Sequence, residues 1–113
     1  MIATFGTFDN EEAALAEIAA AGYHAVTLDF PAETNTDHWH DFDSFVFILE
    51  GEVEITEAET GESYRCGAGT RVAAPGGVLH RETTDGYRAI IGFSVDPATL
   101  TQPVNKPPPV VRD

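Results

Sequence analysis

The residues best equipped for chemistry are His38 and His40, separated by Trp39 and followed by Asp41, Phe42 and Asp43. Side chains on an extended backbone alternate with period two, so the two imidazoles point to one side and Trp39 to the other. Neutral imidazoles sharing a face, with carboxylates close by, are suitable ligands for Zn, Fe, Mn or Ni. A dense β-forming run from Phe45 to Leu49 follows and is expected to end at Gly51. The rings therefore stand at one end of a strand that enters a core. A second stretch runs from Gly69 to His80. There a short strand, Arg71 to Ala73, leads into Pro75-Gly76-Gly77, and a third histidine, His80, opens the next strand. Proline fixes φ and glycine allows positive φ, so this turn is sharp.

These two stretches resemble the two motifs of the cupin family. The second motif matches at Gly69, Pro75, Gly77 and His80, with Thr84 where the family has Asn. The first matches at His38, His40 and Gly51. Its opening Gly is absent, since Ala32 or Glu33 lies there, and the position of its Glu holds Ser44 with Asp43 beside it. The resemblance covers roughly residues 23 to 95. It implies an all-β fold, a double-stranded β-helix or jelly-roll barrel, with His38, His40 and His80 as ligands of a divalent transition metal (Zn, Fe, Mn or Ni). Asp43 is the candidate fourth ligand, provided that a bulge turns its side chain inward. Asp41 is a weaker candidate, and three histidines with water remain open as the alternative. Glu82 shares parity with His80 and is a candidate general base. Tyr64, Tyr87 and Arg71 are candidates to reach into the barrel mouth.

The elements that must position these residues are short. Asn10 or Asp9 caps a helix expected over about residues 10–22, with Leu15, Ile18 and Ala19 on its apolar face and Gly22 as its stop. Strands are expected over 23–30, 38–49, 52–57, 63–66, 71–73, 80–84 and 87–95, with Asp85-Gly86 as a hairpin turn. With an edge strand in residues 1–8, that makes about eight strands, which suggests a sandwich or barrel independently of the resemblance. The barrel is expected over about 23–96. Five prolines between Pro97 and Pro109 then give an extended tail over 97–113, free or laid across a neighbouring subunit.

The chain has 113 residues, the length of one domain, and a net charge of −13. Such acidity argues against nucleic acid and against anionic membrane surfaces as partners. The one cysteine, Cys66, cannot form an internal disulfide and reads as a buried thiol. No basic-then-apolar leader is visible, so a cytoplasmic location is expected by default. The partners expected are a small organic molecule and, from the resemblance, a second copy in a homodimer. Two classes of function follow. One is a metal-dependent enzyme, such as an oxygenase or isomerase. The other is a non-catalytic module that binds or senses a small molecule or metal, with a metal-free barrel as its plainest form.

Overall fold

The computed structural model describes residues 3–108. Its elements are β1 (Thr4–Thr7), α1 (Glu11–Ala20), β2 (His24–Thr34), β3 (Ser44–Glu57), β4 (Ser63–Gly67), β5 (Thr70–Ala74) and β6 (His80–Phe93). All pairings are antiparallel. The strand order is β1-β5-β3-β6-β2, and β4 pairs with the second half of β3. This is a jelly-roll fold, as the sequence led us to expect.

Among the described residues six strands replace the eight expected, because two expected breaks are not breaks. Gly51 does not end a strand. It sits inside the 14-residue β3, where the register against β6 shifts between Ile48 and Glu50 and again between Gly51 and Val53. Its φ is +79°, and a Cβ there would collide with the Gly86 carbonyl oxygen and lie 2.9 Å from Tyr87 Cα. Asp85-Gly86 likewise forms no hairpin. β6 runs through it for 14 residues, held on one side by β3 and on the other by β2. A ladder on both sides outweighs the local turn preference, leaving an irregularity in which Thr84 Oγ1 donates to the Glu52 carbonyl (2.6 Å) and accepts from Gly86 N–H (2.9 Å). Pro31 does not end β2 either. That strand lies at the end of the order, where a missing N–H costs no ladder bond.

Period-two alternation divides the core. Ile48, Val53, Val72, Ala89, Ile91 and Phe93 fill the inside of the barrel together with Cys66 and Phe42. Phe47 and Ile90 face outward and are covered by Ala14 and Ile18 of α1. The helix starts where expected, with Asn10 Oδ1 accepting from Ala13 N–H (2.8 Å). Its buried ridge is narrower than expected, however: Ala14 and Ile18 are buried while Leu15 is 46% exposed. Ile18 seats directly on Gly92, where a Cβ would lie 2.9 Å from its Cγ1. Arg71 pins the helix from the sheet. It pairs with Glu17 (2.6 Å) and lies 5.0 Å over the Phe45 ring, so it is not at the barrel mouth.

The proline-rich segment, as far as residue 108, folds back onto its own barrel. A 3-10 turn over Pro97–Thr99 begins it, and Leu100 and Val104 pack against the inner core. Trp39 and Lys106 then exchange backbone hydrogen bonds of 3.1 and 2.9 Å, and Trp39 Nε1 donates to the Pro107 carbonyl (2.9 Å). The outermost expected pieces, Met1-Ile2 and residues 109–113, lie outside the described residues. Among the described residues no helix is long and apolar enough to cross a membrane.

Candidate metal centre

The strand expected from residue 38 begins only at Ser44, and His38 lies ahead of it in an isolated bridge to His80, the first residue of β6. Their backbones exchange hydrogen bonds of 2.8 and 2.9 Å, which sets the ring centroids 4.4 Å apart. His40 follows at the same parity, its ring 5.1 Å from His38 and 5.2 Å from His80. One nitrogen from each of the three rings falls within 4.8 Å of the other two. His38 is 4% exposed, so the cluster is set into the barrel and not on its rim.

Each ring is oriented by a main-chain carbonyl. His38 Nδ1 donates to Thr36 O (2.8 Å), His80 Nδ1 to Val78 O (2.8 Å) and His40 Nδ1 to Val104 O (2.9 Å). A carbonyl only accepts, so each Nδ1 carries the proton. The lone pair of a neutral ring is then on Nε2, which is the arrangement that orients metal-binding histidines. His38 Nε2 is buried and has no hydrogen-bond partner. These donors fit a divalent transition metal: neutral nitrogens, turned inward, with one left unsatisfied.

Glu82 completes the surroundings. Its Oε1 lies 3.1 Å from His80 Nε2 and 3.6 Å from His38 Nε2. Asn35 holds the rest of it, with Nδ2 donating to Glu82 Oε2 (2.6 Å) and Oδ1 accepting from Glu82 N–H (2.7 Å). Burial would raise the Glu82 carboxyl, but His38, His80 and Asn35 outweigh it and hold it well below the usual carboxylate range. Burial also pulls His38 down; Glu82 and the Thr36 carbonyl outweigh that, leaving His38 above 6.5. For His40 burial prevails over the Val104 carbonyl, and its two neighbouring imidazoles add to the lowering. The site near neutral pH therefore contains a carboxylate beside a neutral His40.

The structure brings together His38, His40 and His80 and places Asp43 elsewhere. Asp43 is exposed, and its Oδ1 accepts from Gly76 N–H (2.7 Å). The bulge that would have turned it inward does not form at that residue. Asp43 instead anchors the Pro75-Gly76-Gly77 turn, which Gly77 N–H also ties to the His40 carbonyl (2.8 Å), so it helps deliver the chain to His80. Asp41 is exposed and lies 3.8 Å from Lys106 Nζ. Ser44, at the family's Glu position, lines the cavity. Asn35 was not singled out from the sequence, because loop asparagines are common and only the fold sets it opposite Glu82. The Val104 carbonyl was equally hidden, since a backbone group far along the chain leaves no sequence signal.

A cavity of about 210 Å³ opens beside His40 and Glu82. Its walls are largely apolar, with Phe30, Phe42, Tyr87, Ile91 and Phe93. Tyr87 stacks on Phe30 with centroids 4.5 Å apart, and burial followed by the Glu82 charge pushes its hydroxyl upward, so it stays neutral. Tyr64, by contrast, stacks on Phe5 and donates to Glu62, away from this cavity's lining. Trp39 is on the outer side, as expected, and its cover is the chain's own tail.

A jelly roll with three inward histidines at these positions defines a small cupin. Residues 26–91 match the family model described as the cupin domain, and the chain belongs to that family. Its structure is similar to that of a DUF861 family protein from Thermotoga maritima (TM-score 0.65, 20% identity, 80% of this chain and 98% of that one). It is also similar to KdgF from Halomonas sp. (TM-score 0.54, 17% identity, 88% and 86%). A third similar structure is the polyketide cyclase RemF from Streptomyces resistomycificus (TM-score 0.55, 16% identity, 85% and 68%). At these identities the likeness is one of fold. No curated protein matches the sequence.

Proposed function

We propose that this cupin holds a divalent transition metal at His38, His40 and His80 and takes a small organic molecule in the cavity beside it. One observation carries the proposal: all three Nδ1 protons are committed to main-chain carbonyls, so the three rings offer their Nε2 atoms to one point. The apolar walls bind the body of the molecule, and a polar end is drawn toward His40 and Glu82. A bound ion would supply Lewis-acid polarisation or, if it is redox-active, electron transfer to a coordinated ligand. A polyketide cyclase of the same fold is a precedent for enzymatic use of this barrel.

Elemental mass spectrometry of untagged protein purified without added metal tests the reading. About one transition-metal ion per chain is expected, and its loss in the His38→Ala/His80→Ala variant. Protein that stays metal-free after reconstitution with Zn, Fe, Mn and Ni would leave a barrel that binds by shape and hydrogen bonds alone.

A further inference from the structure

We infer that Glu82 is the anionic ligand of this centre, supplied from β6 in place of the carboxylate that the family's first motif carries on β3. The inference rests on the metal-binding reading above. The first-motif position holds Ser44, which reaches the cavity but carries no charge, and Asp43 is committed to Gly76. The carboxylate that does face the rings comes two residues after the third histidine.

Its distance to His80 is that of a neighbouring ligand, and its distance to His38 is about 0.2 Å beyond the range for one. Donors sharing one ion at about 2.1 Å stand about 2.9–3.4 Å apart for right-angled to tetrahedral geometry. Glu82 Oε1 lies 3.1 Å from His80 Nε2 and 3.6 Å from His38 Nε2. The proton count points the same way. Each ring's Nδ1–H is already donated, so a neutral His80 presents a lone pair to the Glu82 oxygen. Two lone pairs 3.1 Å apart in a mostly buried site need a positive charge between them. A divalent ion placed between them supplies it. Asn35 takes Oε2 and the Glu82 N–H, which leaves Oε1 as the oxygen free to coordinate.

The charge of this ligand set narrows the substrate class. Three neutral imidazoles and one carboxylate leave a divalent ion with a single net positive charge. A ligand with one ionised oxygen, such as an enolate, phenolate or carboxylate, would neutralise it, and a neutral complex suits the apolar walls. A dianion would bring uncompensated negative charge into the same cavity.

The test uses the full chain in two measurements. Zinc affinity by competition with a chromophoric chelator is compared between wild type and Glu82→Gln, which keeps the shape and removes the charge. At least about a 100-fold loss is expected, together with altered visible absorption of the cobalt(II)-substituted protein. The second measurement needs no variant: the carbon-13 resonance of the Glu82 carboxyl in wild type should shift when one equivalent of zinc binds. Unchanged affinity and an unmoved resonance would overturn the assignment while leaving a three-histidine centre in place. Wild type that binds no metal would overturn the underlying reading as well.

Discussion

Glu82 and His38 are the residues whose ionisation the fold alters most usefully. Burial opposes both charges, yet their mutual proximity outweighs it: Glu82 is depressed below its ordinary 4.5 and His38 is raised above 6.5. The signs define a window. A depressed carboxyl contributes stability above 4.5 that is lost as pH falls toward its folded value. A raised imidazole contributes below 6.5, and that is lost as pH rises through its folded value. The pair should therefore support the metal-free protein most between pH 4.5 and 6.5. In chelator, the difference in urea midpoint between wild type and Glu82→Gln should peak in that window and narrow on both sides. A difference that stayed flat from about pH 4 to about pH 8 would contradict it. At this scale the sequence was a good guide to which imidazoles meet, but not through a strand: β3 begins only at Ser44, and His38 and His40 are placed by the isolated bridge to His80 and by the Val104 carbonyl. For the ligand carboxylate it offered Asp43 by motif position and Asp41 behind it, while Glu82 came forward by parity only as a candidate general base. Choosing between them depends on which strand lies across from His38, which no local pattern carries.

Among the elements, the tail has the largest effect on the site relative to its sequence signal. Five prolines read as a segment without ladder bonds, yet residues 97–108 return to pair with Trp39 and present the Val104 carbonyl to His40. Lys106 fixes that return with its backbone N–H on Trp39 O and its ammonium on the Thr101 and Pro103 carbonyls (3.3 and 3.1 Å). Replacing Lys106 with Pro removes all three bonds and should loosen His40 while leaving the carbonyl partners of His38 and His80 intact. Zinc affinity should fall by about tenfold or more, the cost of losing a partner that orients a ligand ring. Unchanged affinity in the competition titration would show that His40 needs no tail. The two long strands were misread as four for a related reason. Gly51 and Asp85-Gly86 carry genuine turn chemistry, but they face each other across β3 and β6, where the ladders continue past them. Local preference is visible in a sequence; the neighbour that overrides it is not.

At the scale of the whole molecule, six strands and one helix among the described residues form a small barrel whose interior is divided between packing and a site. Phe47, Ile48, Ile90 and Val53 are fully buried and form the packing of the two faces, while Phe30, Phe42 and Tyr87 leave a cavity next to the imidazoles. A sandwich or barrel was legible from alternating strands and dense turns, and only the resemblance carried by the two histidine motifs narrowed it to a jelly roll. The chain as a whole carries a net charge of −13. The central claim is that an ion binds at one defined place in this barrel. The most direct measurement is an anomalous difference map from a zinc-loaded crystal, collected on both sides of the metal edge. The account predicts one peak in the barrel, within about 2.3 Å of Nε2 of His38, His40 and His80. A map with no peak there, or with zinc held only by the acidic surface, would contradict it.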